Sequence, residues 1–420
     1  MENAVLGVGE PVANTHEHPC GPYRGNMAFP GVTFGQFGLT YAWFAATLAM
    51  LTGRTVVVLS NRPICDLARG RGSSTCEPVF SMSAVTRLEA EARELIDSGL
   101  VLWDRGSRQE AVSTMGQAVS VCRRLFNVDP SKIGILATAL SNQGTMLHGC
   151  GRVDEAVDIL NVAVNIRRIL SEESHAFTAD LAASLANLGM ALRDRGSRTE
   201  AISALSESVD TYRTLVEREK PEYEPNLAAS LNSLGNARGL NPSALDDFDE
   251  AIAILRSRSI NESDELAFSL AAALNSQCGV LMHLADYERY VVNSTEAVAL
   301  FRRLVETNPE GYTPYLAKAL ATHAGGLLKV DRKDEAYDAA AESAEIVRRL
   351  YEVNPAGWRE LLLGTLRLIG PLLPALNRSE EARAVAEEIK RLSEEDHQDH
   401  LAPPRRQKRK GFFSPHRKRS

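Results

Sequence analysis

The chain is short of aromatic residues, at 6% of 420, and it has no paired cysteines. Cys20, Cys65, Cys76, Cys122, Cys150 and Cys278 are scattered without a single Cys-x-x-Cys. That removes the spacing expected of a zinc ribbon or a redox dithiol. Cys122 and Cys278 fall on apolar helical stretches and read as buried thiols of a reducing compartment. The sequence also lacks a Walker-type phosphate loop, a Gly-x-Gly-x-x-Gly after a strand, a His-Glu-x-x-His and a Gly-x-Ser-x-Gly. These absences remove the common frameworks for phosphoryl transfer, dinucleotide binding, zinc hydrolysis and serine nucleophiles, so neither an enzyme nor a cofactor is expected. His16-Glu17-His18-Pro19-Cys20 supplies three possible metal donors. A closed zinc site takes four, and no spaced partner pair follows, so no metal is expected. Acidic pairs such as Asp246-Asp247 read as solvated surface.

Long hydrophobic runs are missing too. Residues 25–53 carry no charge, but the strongly apolar part, Leu39–Leu51, is 13 residues. A membrane span takes about 20. The stretch reads as an extension or a helix covering the end of the fold, with a single span at 37–52 as the competing reading. The opening residues do not set a basic segment before an apolar one, so no secretory signal is expected. A cytoplasmic protein is expected.

Charge is segregated. Of 47 basic and 54 acidic residues, positions 1–82 hold five of each, and 401–420 hold eight basic and none acidic. The stretch between therefore carries 34 against 49, a net of −15. Such an acidic body excludes nucleic acid lying along it, because phosphate contacts need clustered Lys and Arg. The tail, with Arg405-Arg406-Gln407-Lys408-Arg409-Lys410, suits import machinery and hence a nuclear address in a eukaryote, or otherwise nucleic acid or anionic lipid.

What the chain has in abundance is a repeated phrase. Asp104-Arg105-Gly106-Ser107-Arg108 leads to Glu110-Ala111, Gly151-Arg152-Val153-Asp154 to Glu155-Ala156, and Asp194-Arg195-Gly196-Ser197-Arg198 to Glu200-Ala201. Counting from that alanine, the anchors are Ala111, Ala156, Ala201, Ala244, Tyr290, Ala336 and Ala382, at steps of 43 to 46 residues. Twelve residues earlier stands a small residue: Gly99, Gly144, Gly189, Cys278, Ala324 and Gly370, with Gly235 in a shorter fourth unit. Twelve residues after the anchors Arg recurs, at Arg123, Arg168, Arg213, Arg256, Arg302 and Arg348. Leu181, Leu185, Leu188 and Leu192 show the intervening pattern, one apolar face of a helix. Small residues at fixed points let two helices approach, and the Gly phrase reads as the turn of a helical hairpin. Each unit is thus helix, turn, helix, and stacking supplies the core.

The Leu-x-x-x-Gly-x-x-Leu run, with Ala opening the next helix and a small residue two turns on, resembles the tetratricopeptide repeat. A period near 45 and phrases such as Leu227-Ala228-Ala229-Ser230-Leu231-Asn232 resemble its kinesin-light-chain-like branch. One departure is the arginine where the family places a helix-ending proline. The resemblance implies an all-α right-handed superhelical solenoid of about seven antiparallel helix pairs over 83–397, between a non-repeat extension at 1–82 and a disordered basic tail at 398–420. It further implies a scaffold or adaptor that holds a partner peptide or helix in a groove lined by the first helix of each pair. A peptide sensor of a signalling system and a membrane-tethered adaptor are the alternatives. The groove candidates are Asn142, Asn187, Asn232 and Asn275, whose amides can pair with a partner's main chain. Trp103, His148 and Arg193, four residues after the packing glycine, are candidate interface anchors.

Overall fold

The computed structural model describes residues 82–218, 221–258 and 263–401. The His16–Cys20 run, the apolar stretch at 37–52 and the basic residues of the tail lie outside the described residues. All regular structure among those described is helical. The chain divides at Ala285 into two compact units.

The first unit contains α1 (Met82–Asp104), α2 (Arg108–Val128), α3 (Ile133–Gly149), α4 (Val153–Glu173), α5 (Thr178–Asp194), α6 (Arg198–Glu217), α7 (Glu224–Arg238), α8 (Ala244–Arg256) and α9 (Asp264–His283). Each odd-numbered helix up to α7 packs on the even-numbered one that follows it, and each even-numbered helix packs on the next pair. The second unit contains α10 (Tyr287–Thr307), α11 (Pro309–Lys329), α12 (Lys333–Val353), α13 (Pro355–Ala375) and α14 (Ser379–Leu401), again packed in chain order.

The repeated Gly phrase closes each hairpin. Gly106, Gly151 and Gly196 adopt φ of 80°, 75° and 88°. Around Gly196, Ser197 N–H donates to Leu192 O at 2.9 Å and Gly196 N–H to Arg193 O at 2.9 Å. This is the Schellman closure, in which a left-handed residue just past the helix lets the chain satisfy the last carbonyls. Ala285, Asp331 and Asn377 hold the left-handed position at φ near 60° in the later turns. At the opposite ends, side chains cap helix starts: Asn308 Oδ1 accepts from Gly311 N–H and Asn354 Oδ1 from Gly357 N–H, at 3.0 and 3.2 Å.

The small residues act as expected in the first unit. A β-carbon added at Gly144 would sit 2.5 Å from Leu160 Cγ, one at Gly189 2.4 Å from Leu205 Cγ, and one at Gly235 2.8 Å from Phe248. In each case the large partner lies four residues after the anchor alanine, and Ala156, Ala201 and Ala244 are themselves fully buried. Gly370 departs from the expectation: nothing lies within 4 Å of where its β-carbon would be. The residue four after its anchor is Ala386, too short to fill the notch. In the second unit the tight contact falls instead between Tyr290 and Gly326, where an added carbon would meet the Tyr290 ring at 2.2 Å. Tyr290, the one aromatic anchor, donates its hydroxyl to Thr322 O at 2.6 Å.

Asp247 is a correction to the reading of solvated acidic pairs. It is 6% exposed and accepts from Arg238 Nη1 at 2.7 and 2.9 Å. Burial pushes its carboxyl up to about 6 against the pull of Arg238. Cys122 and Cys278 are buried, as expected, and burial raises both thiols to about 12. Among the described helices, α9 is long and apolar enough to cross a membrane by composition, yet just over half of that stretch is buried within the fold.

Candidate functional site

Two layers make up the first unit. Consecutive first helices touch: α3 meets α5, α5 meets α7, and α7 meets α9. Short side chains suffice to link them, as where Ser141 Oγ lies 3.3 Å from Ser184 Oγ. Consecutive second helices stand further apart, and long side chains span the gap. Arg168 reaches Glu207 at 2.5 Å, and Arg213 reaches Glu250 at 2.6 Å. The second unit repeats the device with Arg302–Glu342 at 2.6 Å and Arg348–Glu388 at 2.7 Å. A stack crowded in one layer and spread in the other curves toward the crowded layer. The first helices therefore form the inner face of the first unit.

The arginines are legible in the sequence from their spacing alone, whereas their partners are fixed by the packing of one pair on the next. The signal was there: Glu207, Glu250, Glu296, Glu342 and Glu388 all stand six residues after an anchor. These exposed pairs contribute little singly, about 0–1 kcal/mol each. They do place Arg168 and Arg213 in contacts between neighbouring pairs.

All four candidate asparagines lie on first helices of the first unit. Asn187 on α5, Asn232 on α7 and Asn275 on α9 are half-buried, whereas Asn142 on α3 is 2% exposed and closed off from solvent. Oδ1 of Asn232 and Oδ1 of Asn275 are shielded from water and accept no hydrogen bond, and Nδ2 of Asn142 donates none. A buried polar atom without a partner costs about 1–3 kcal/mol, so such atoms are ordinarily paired. Asn232 and Asn275 also share a register, each three residues before the packing residue of its helix.

The three expected anchors are engaged within the fold. Trp103 lies under the Arg108 guanidinium, 4.1 Å from the ring centroid. Its Cη2 would be 2.7 Å from a β-carbon at Gly149, one pair further on. His148 donates from Nε2 to Asp194 Oδ2 at 2.7 Å, and Arg193 Nε donates to Asp194 Oδ1 at 2.8 Å. Burial would raise the Asp194 carboxyl, but these donors and the Arg193 charge hold it down to about 2. A buried pair, Arg167 with Asp180, joins α4 to α5, and Arg167 also donates to Thr138 Oγ1 at 2.9 Å.

Residues 181–222, which span α5, α6 and the loop after them, match the family model of the tetratricopeptide repeat. That stretch is matched as one tetratricopeptide repeat, and the other pairs share its order of helix, turn and helix. Solved structures of similar arrangement include BtubC from P. vanneervenii, at 16% identity over 74% of this chain and 96% of that one, with a TM-score of 0.35. A putative kinesin light chain with nearly identical repeats from Podosopora anserina is 20% identical over 54% of this chain and 99% of its own, TM-score 0.37. The apo quorum sensor NprR from B. thuringiensis is 10% identical over 72% and 87%, TM-score 0.42. Overlaps this loose carry no conclusion about function. No curated protein matches the sequence significantly. Tetratricopeptide repeats serve protein–protein interaction, so the repeat fold implies a protein-binding scaffold.

Proposed function

We propose that the protein is a non-enzymatic adaptor that holds a partner segment against the inner face of its first unit. The observation that carries this reading is the pair of buried amide oxygens without donors, Asn232 Oδ1 and Asn275 Oδ1, in the same register on adjacent first helices. Asn187 stands on the neighbouring first helix, α5, one position further along in register. A partner's main-chain N–H groups are the donors such a row lacks. Trp103, His148 and Arg193 already hold contacts inside the fold and are not part of the row.

The test replaces Asn187, Asn232 and Asn275 with Ala in the full chain and measures partner capture. Each lost hydrogen bond is worth about 0.5–1.5 kcal/mol, so affinity should fall roughly tenfold or more. Helical content should hold, because Ala is the best helix former. The matched control is Arg123, Asp158 and Ser203 to Ala, exposed positions on second helices. Capture lost in the control but kept in the asparagine variant places the partner on the outer layer and overturns the reading.

A further inference from the structure

From α3 to α9 the inner face of the first unit has a second property besides its unpaired amides: unlike α1, which carries Arg and Glu along its length, these first helices are free of charge over their central stretches. Ile133–Leu147 on α3, Leu181–Leu192 on α5, Pro225–Ala237 on α7 and Leu266–Met282 on α9 contain no Asp, Glu, Lys or Arg. The charges of these helices are confined to their ends, whereas the second helices α4 and α6 carry them throughout. An acidic segment or a terminal carboxylate would leave its own solvation without gaining a cation there, which is costly. The occupant that fits is an uncharged one that offers N–H donors.

Spacing narrows it further. Adjacent packed helices lie about 8–10 Å apart, and the amides of Asn232 and Asn275 repeat once per first helix. A β-strand presents N–H groups on one side every second residue, about 6.7 Å. A polyproline II segment has three residues per turn and rises about 3.1 Å per residue, so it repeats every 9.3 Å or so. Its backbone makes no internal hydrogen bonds, leaving each N–H free to donate. The half-buried asparagines can meet it, since the terminal torsion of Asn is broad and lets the amide turn outward.

We propose that the inner face takes an uncharged segment in the polyproline II conformation, with one non-proline residue in every three donating its N–H to a successive asparagine. This rests on the adaptor reading above and specifies the partner's chemistry. The period carries its own constraint: proline at every position keeps the shape but removes every donor.

The experiment uses three labelled synthetic peptides against the full chain, read by fluorescence anisotropy. They are (Ala-Pro-Pro)5, a run of 15 prolines, and (Thr-Val)7. The first should bind at least about tenfold more tightly than the other two. That preference should vanish in the Asn232→Ala/Asn275→Ala variant. Equal binding of the all-proline peptide, preference for the Thr-Val peptide, no binding of (Ala-Pro-Pro)5, or an undiminished preference in the variant overturns the proposal. The native partner separates the two levels. If its capture depends on the asparagines while (Ala-Pro-Pro)5 fails, the site stands and the assigned chemistry falls. If capture ignores the asparagines, the site itself falls.

Discussion

A β-carbon placed on Gly189 would stand 2.4 Å from Cγ of Leu205. The two residues are the meeting point of α5 and α6, and the same notch-and-knob pair recurs as Gly144 with Leu160 and Gly235 with Phe248. Protein interiors are packed as densely as crystals, so a contact this close leaves no slack for one extra carbon. The repeat is therefore specified as much by an absent side chain as by the apolar ones around it.

Gly189→Ala should destabilise the chain by about 1–3 kcal/mol, since the methyl group overpacks Leu205. Gly364→Ala, in α13 and followed by Thr365, should do the opposite. Its site is open, and Gly costs a helix interior roughly 0.5–1 kcal/mol relative to Ala. Chemical denaturation of the two variants checks both signs. A loss at Gly364 as large as that at Gly189 would contradict the open surroundings of that position.

The Asp194 carboxyl gives a pH signature. Its folded value, about 2, lies below the ordinary 3.8. A group depressed on folding contributes stability above its unfolded value, and that contribution disappears as pH falls through the folded one. Wild type should thus lose stability between about pH 4 and pH 2 in part through this residue. Asp194→Asn should be weaker at pH 7 by about 1–2 kcal/mol, discounted for partial exposure, and its deficit should shrink toward pH 2. Thermal melts at several pH values supply the comparison, and a deficit constant from pH 7 to 2 would remove the His148–Asp194 contact as its cause.

The Arg213–Glu250 bridge should show a small coupling. Both side chains are about 40% exposed, so a double-mutant cycle with Arg213→Ala and Glu250→Ala should return less than about 1 kcal/mol. The coupling should shrink further in 1 M salt, where charges are screened beyond about 3 Å. A salt-insensitive coupling would mean that packing of the aliphatic stems, and not charge, joins the outer layer.

The sequence by itself determined the helix pairs, their turns and most of their notches. Those features are local: a 3.6-residue apolar rhythm, a Gly just past a helix end, and a small residue at fixed distance from an anchor. That Asn187, Asn232 and Asn275 stand on first helices was legible on the same footing, because the repeat period fixes which helix of a pair a residue belongs to. Contacts between repeats were not legible in that way. That Trp103, His148 and Arg193 are engaged in the fold, that Asn142 is sealed and Asn187 is not, and that Asp247 is buried against Arg238 depend on how one pair lies on the next. So does the choice of inner layer, which follows from first helices packing closer than second ones. Periodicity names the face of a helix, but only the packed neighbour decides whether that face meets protein or water.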